Sequence, residues 1–132
     1  MEKIRAAVVG VGYLGRFHAQ KYAQLEDCRL VGLVDSQPEA LARVAEELQA
    51  PAYGDYRALL GKVDAVSVVT PTPTHFDIAR AFVENGAHVL VEKPMTETTA
   101  QAERLIAAAR QYGRLLQVGH LERFNPDRKS VV

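Results

Sequence analysis

Ala6-Ala-Val-Val-Gly-Val-Gly-Tyr-Leu-Gly15 is the stretch that decides how the rest of the chain is read. Four small or β-branched residues run into Gly10, Gly12 and Gly15, and Leu14, Phe17, Tyr22 and Leu25 then recur at roughly helical intervals. The pattern predicts a buried strand, a tight turn and an amphipathic helix. Gly10 permits the turn, Gly12 lets main chain approach a phosphate with no Cβ in the way, and Gly15 lets the helix pack closely on the strand. Unpaired N–H groups and the dipole at the start of that helix favour negative charge. A tight structural turn could use the same three glycines. The context favours a dinucleotide, because Asp35 ends the next apolar run at about the 20-residue distance where an acidic side chain meets the adenosine ribose. Gly10, Gly12, Tyr13, Leu14 and Gly15 are the first candidate cofactor-binding residues.

The chain has 132 residues, 48% of them apolar, enough for one domain with a real core and too few for two ordinary ones. Sixteen basic residues balance sixteen acidic ones, which leaves no electrostatic case for DNA, RNA or an anionic membrane surface. A nucleotide-sized ligand needs only the local positive potential of a helix start. Cys28 is the single cysteine and has no internal disulfide partner; it reads as a small half-buried hydrophobe beside the second strand rather than a catalytic thiol. No run approaches the ~18 apolar residues of a membrane span, and the N-terminus lacks the apolar segment of a secretory signal. These features predict a soluble, cytoplasmic protein, and no metal site is read from them.

Ile4 to Val9 forms the first strand and residues 13 to 24 the first helix. Leu30 to Asp35 is apolar without strict alternation, as expected of a strand covered on both faces. Ser36 and Glu39 have capping-box spacing, with Pro38 in the first turn of a second helix. Its stripe is Leu41, Val44, Ala45 and Leu48, and it ends near Gln49, before Pro51. A short strand at Ala52 and Tyr53 and a brief helix around Tyr56 to Leu60 follow. Ala65 to Val69 is a strong strand, ended by the prolines of Thr70-Pro-Thr-Pro-Thr-His75. The next helix turns Ile78, Phe82 and Val83 inward and closes at Asn85-Gly86. His88 to Val91 leads into Glu92-Lys93-Pro94. Thr98 and Gln101 form another capping-box pair, Ala102, Leu105, Ile106 and Ala109 the stripe before Gly113, and Leu115 to Val118 the last strand. Strands alternating with helices over short connections predict an α/β fold with a doubly wound parallel sheet.

In such a sheet the ligand lies outside the carboxyl ends of the strands, so the residues just after each strand carry the function. Asp35 could accept hydrogen bonds from both ribose hydroxyls, while a 2′-phosphate would meet repulsion that no Arg at 36 or 37 relieves. NAD is therefore favoured over NADP. The alternative makes Asp35 only the lead-in to the next helix, a task that Ser36 would already fill. Thr70, Pro71 and Thr72 would lie beside the middle of the cofactor as a shaped wall, poor in N–H donors and offering hydroxyls and carbonyls. His75 either joins that wall or opens the following helix and bonds to nearby backbone. Lys93, flanked by Glu92 and Pro94, could reach a nicotinamide ring and a substrate hydroxyl and serve as acid and base. A solvated surface lysine is the plain alternative.

Together, Gly10-Val-Gly-Tyr-Leu-Gly15, Asp35, Thr70-Pro71 with His75, and Glu92-Lys93-Pro94 resemble the Gfo/Idh/MocA family, the glucose-fructose oxidoreductase and inositol dehydrogenase group. The resemblance covers residues 3 to 126, and the Glu-Lys-Pro after the fifth strand is its most specific element. It implies a Rossmann fold and an NAD(P)-dependent oxidoreductase acting on a sugar, cyclitol or nucleotide-sugar hydroxyl. It also implies an active-site role for Lys93, often with a cis bond to the following proline. Glu92 then falls beside the cofactor, and Lys93 and His120 become candidates for contact with substrate. Gln117-Val-Gly-His-Leu-Glu-Arg-Phe-Asn-Pro126 resembles the family's passage out of the nucleotide domain, in a form similar to members that oxidise nucleotide sugars such as UDP-N-acetylglucosamine at C3.

The implied reaction is hydride transfer from a carbinol carbon to nicotinamide while a base takes the hydroxyl proton. In the family, the Asp and His that complete the catalytic group lie in a second, substrate-binding domain beyond residue 132, through which full-length members usually form homo-oligomers. Residues 1–119 are thus expected to form the NAD(P)-binding domain and 120–126 the start of the passage. Residues 127–132 fit no structural pattern, look like one reading frame of a sequencing-library adapter, and are read as a non-native tail. Without the second domain the chain is expected to bind NAD without turnover. The competing possibility is a stand-alone NAD-binding or redox-sensing module, favoured by the missing substrate domain and opposed by Lys93 in its Glu-Lys-Pro setting.

Overall fold

A computed structural model describes residues 2–119, so His120, the passage at 120–126 and the terminal residues 127–132 lie outside the described residues. The elements in chain order are β1 (Ile4–Val9), α1 (Tyr13–Gln24), β2 (Cys28–Val34), α2 (Pro38–Leu48), β3 (Ala52–Tyr53), β4 (Ala65–Val68), α3 (His75–Glu84), β5 (His88–Val91), α4 (Thr99–Tyr112) and β6 (Leu116–Val118). Short 3-10 turns stand at Tyr56–Leu59 and Thr72–Thr74. Every ladder is parallel, and the sheet runs β3-β2-β1-β4-β5-β6. This is the doubly wound α/β fold. The strand order reverses between β1 and β4, and a crevice opens at their carboxyl ends.

Strand alternation sorts the core into two layers. Ala7, Val9, Val66, Val68, Val89 and Val91 face α3 and α4, where Phe82, Val83 and Leu105 fill the space. Ala6, Val8 and Leu33 face α1 and α2, against Ala19, Tyr22, Leu41 and Val44. Phe82 and Leu105 are fully buried, each contributing about 1.5–3 kcal/mol from its removal from water. Cys28 opens β2 half-buried, and burial, then Asp27, pushes its thiol above the ordinary value.

Three local expectations are corrected. Helix α1 buries Tyr22 as expected but not the rest of its apolar stripe: Leu14 and Leu25 are exposed, Phe17 is half-buried, and the inner face is Gly15, His18, Ala19 and Tyr22. Close packing at Gly15 sets the rotation of the helix, and a polar residue, His18, lies on its buried side. Ser36 does not cap α2 either. The cap position is Gln37 with no side-chain bond, and Asp35 Oδ1 takes the Gln37 N–H at 2.7 Å instead, the turn an Asp side chain makes with the backbone two residues on. In α4, Ile106 is exposed and Ala108 is buried in its place. Thr98 does cap α4, accepting the Gln101 N–H at 3.1 Å.

At the amino end of the sheet, Arg5 and Asp64 clamp β1 to β4. Asp64 Oδ2 accepts from the Arg5 backbone N–H at 2.8 Å and from Nε at 3.1 Å, and Oδ1 accepts from Nη2 at 3.0 Å. The Arg5 guanidinium, and after it the Arg5 amide, hold the Asp64 carboxyl down at about 2, against an ordinary 3.8. A lowered carboxyl pKa gives stability that is present above the ordinary value and lost as pH falls through the lowered one. The side chains are 49% and 42% exposed, so solvent screens the pair and its contribution is small. In urea unfolding, the advantage of wild type over Asp64→Asn is expected to hold steady above about pH 5 and to shrink between roughly pH 4 and pH 2. A difference independent of pH over that range contradicts the clamp.

Candidate functional site

Strand β1 ends at Val9, and the chain turns at Gly10, where φ is +96°, a conformation that a side chain disfavours. A Cβ on Gly10 would stand 2.5 Å from the Val69 carbonyl oxygen, and one on Gly15 would stand 1.6 Å from the Gly10 carbonyl oxygen. Neither position admits a side chain. A Cβ on Gly12 would meet nothing within 4 Å. The space before Gly12 is open, and Gly12 is the residue that precedes α1, with no side chain capping the helix. Backbone without a Cβ, set before the unpaired N–H groups of a twelve-residue helix, suits a diphosphate.

Asp35 stands across from this turn at the end of β2. Its Oδ2 accepts the Val11 N–H at 2.7 Å and its Oδ1 accepts the Gln37 N–H at 2.7 Å. Each carboxylate oxygen has a second acceptor site, so both can still receive a ligand hydroxyl. Asp35 is thus both the lead-in to α2 and a tie that holds the glycine turn. The helix lead-in weighed from sequence is present, and the tie to Val11 is a second role that the sequence did not indicate.

A crevice of about 610 Å³ lies over the carboxyl ends of β1, β2 and β4, with Gly10, Gly12, Asp35, Thr70, Pro71 and Thr74 among its walls. Thr74 Oγ1 donates to the Pro71 carbonyl at 2.7 Å and fixes that loop. Residues 54–57 also line the crevice. There Asp55 accepts the Arg57 N–H at 2.9 Å and pairs with the guanidinium, which lies 4.9 Å from the Tyr56 ring centroid. This wall was not expected, and Gly54-Asp55 directly after a strand is the signal for it.

Other expected site residues stand elsewhere. Tyr13 is 90% exposed and Leu14 41% exposed, and what the two bring to the turn is their backbone N–H groups at the start of α1 rather than their side chains. Gly15 is buried under the turn, and Thr72 is half-buried in the 3-10 turn before α3. His75 is buried, and its ring bonds to backbone rather than facing the crevice: Nε2 lies 2.7 Å from the Thr70 carbonyl oxygen, and Nδ1 lies 3.0 and 3.2 Å from those of Pro94 and Met95. Carbonyls only accept, so the imidazole ties whichever loop faces its proton. Lys93 is exposed beyond β5 and joined to Pro94 by a cis peptide bond. Glu92 is buried on the other side of the sheet, toward α1.

There Glu92 ends a chain of buried polar groups that the sequence pattern did not single out. His18 Nε2 lies 2.8 Å from Glu92 Oε2, His18 Nδ1 lies 2.9 Å from Ser67 Oγ, and Ser67 Oγ lies 2.8 Å from the Tyr22 hydroxyl. Burial pushes the Tyr22 phenol above its ordinary value, more than the Ser67 bond lowers it, so the hydroxyl keeps its proton. The donors then run in one direction: Tyr22 donates to Ser67, Ser67 donates to His18 Nδ1, and His18 Nε2–H donates to Glu92 Oε2. Among the described residues no group of three His, Cys, Asp or Glu is placed to hold a metal ion, and no helix is long and apolar enough to cross a membrane.

Residues 4–120 match the model of the oxidoreductase family with an NAD-binding Rossmann fold, Gfo/Idh/MocA. A UDP-N-acetylglucosamine 3-dehydrogenase of Acidithiobacillus ferrooxidans is 47% identical over 126 residues, which are 96% of this chain and 40% of the relative. A solved structure of the enzyme of that name from that organism superposes with a TM-score of 0.86, covering 96% of this chain and 41% of that one. A scyllo-inositol dehydrogenase from Lactobacillus casei, solved with NAD(H) and scyllo-inositol, is 26% identical with a TM-score of 0.85, over 95% of this chain and 38% of that one. A biliverdin reductase from Synechocystis, solved with biliverdin and NADP+, is 29% identical with a TM-score of 0.85, over 90% of this chain and 38% of that one. The chain therefore spans about 40% of the length of these relatives.

Proposed function

The chain belongs to the Gfo/Idh/MocA oxidoreductase family, and from that premise we propose that it is the cofactor-holding part of an NAD-dependent dehydrogenase of sugars or nucleotide sugars. The open face of Gly12 before α1, with Asp35 across from it, is the observation that carries this. The turn from Gly10 to Gly12 would hold a pyrophosphate, the outer acceptor sites of Asp35 an adenosine ribose, and Thr70 and Pro71 would stand beside the nicotinamide. The bound cofactor supplies the hydride chemistry. The chain's own residues would hold it, and Lys93 would take the proton of the substrate hydroxyl. The Asp35 carboxylate repels a 2′-phosphate, which selects NAD over NADP even though one relative was solved with NADP+.

Likeness to a UDP-N-acetylglucosamine 3-dehydrogenase supports a nucleotide sugar as substrate. Residues 1–119 are the nucleotide-binding domain, and 120–126 lead toward a substrate domain, with His120 near the substrate. Assembly into homo-oligomers runs through that second domain, and the compartment is the cytoplasm.

Two measurements test this assignment. In calorimetric titrations, Asp35→Ala is expected to weaken NAD about tenfold or more, since bonds to a charged acceptor contribute about 1.5–3 kcal/mol. NADP should lose less, only through the loosened glycine turn, and equal losses would rule out the ribose contact. In a chain that carries the second domain, Lys93→Met is expected to lower kcat by roughly 100-fold or more with NAD still bound. An unchanged kcat removes Lys93 from the chemistry.

A further inference from the structure

We infer that His18, acting through Glu92, is a positioning residue that sets Lys93 in register with the bound cofactor. This rests on the assignment of Lys93 as the base. Val89 and Val91 of β5 face α3 and α4, and Glu92 continues the alternation to the opposite side, where His18 Nε2 meets its Oε2 at 2.8 Å. Beyond Lys93, the carbonyls of Pro94 and Met95 lie 3.0 and 3.2 Å from the His75 ring, whose other nitrogen reaches Thr70. The residue before Lys93 is thus held by a histidine of α1, and the residues after it lie against the ring of a histidine that opens α3 on the opposite face of the sheet.

Stability alone does not account for the His18–Glu92 pair. With the proton on Nε2 alone the imidazole is neutral and the bond is not an ion pair, so it does not repay the desolvation of the Glu92 carboxylate as an opposite charge would. What the pair supplies is direction. His18 stands one turn after Gly15 on α1, the helix whose amino end faces the proposed pyrophosphate. One rigid element therefore touches both the cofactor cradle and the residue before Lys93. Ser67 holds Nδ1 at 2.9 Å and so keeps the proton on the nitrogen that faces Glu92. Hydride and proton transfer need reacting atoms aligned within a fraction of an ångström, which a lysine on a loose loop does not provide.

The test is NMR of this chain with 13C-methylated lysines, the Lys93 resonance being assigned by its loss in Lys93→Arg. On saturation with NAD the wild-type Lys93 resonance is expected to shift. In His18→Leu, folded by circular dichroism and still binding NAD, that shift is expected to be lost. In His18→Gln, whose amide nitrogen takes the place of Nε2, it is expected to return. A folded His18→Leu that keeps the full shift overturns the inference and leaves the role of Lys93 standing. Should His18→Leu not fold, Glu92→Gln keeps the shape and weakens the bond to a neutral one; there a reduced shift supports the inference and a full shift overturns it. A wild-type resonance indifferent to NAD overturns the assignment of Lys93 and this inference with it.

Discussion

Everything at the carboxyl edge of the sheet depends on how closely α1 lies on β1. With Gly15 directly under the Gly10 carbonyl, at a separation no Cβ could occupy, the helix begins where the strand stops. Its first N–H groups then open onto the crevice instead of being buried beneath side chains. The same contact fixes the rotation of α1, and with it which residues face inward. His18 and Tyr22 meet Ser67 and Glu92 because Gly15 lets the helix come that close.

That constraint explains what the sequence made legible. Glycine spacing, apolar strands without alternation and proline stops are local signals, and the strands and helices they mark stand where expected, within a residue or two. The doubly wound parallel sheet followed from handedness rules that hold for parallel crossovers in general, whereas the order of its strands comes from the structure. Glycine positions are legible because their reason is steric: only a missing Cβ satisfies Gly10 and Gly15.

Polar residues were harder, because their roles depend on partners far along the chain. Apolar periodicity put Leu14 and Leu25 on the inner face of α1, yet that face holds a buried imidazole whose partners lie 49 and 74 residues away. Nothing in local pattern announces such a bond. Asp35 was legible as the residue after β2 but not as a tie to the Val11 N–H, since that contact exists only once β1 and β2 pair. His75 reads equally well as a wall of the crevice or as a loop anchor, and burial decides for the anchor. Residues 54–57 escaped notice because a two-residue strand carries little periodicity.

The most direct measurement concerns the open space before Gly12. Gly12 has a negative φ, −68°, and an added Cβ touches no protein atom, so Gly12→Ala is accommodated by the fold while its methyl group enters the place given to the pyrophosphate. Calorimetric titration with NAD, alongside thermal unfolding of the free protein, is expected to show an almost unchanged melting temperature and no measurable binding in the variant. Binding as tight as in wild type would contradict the account.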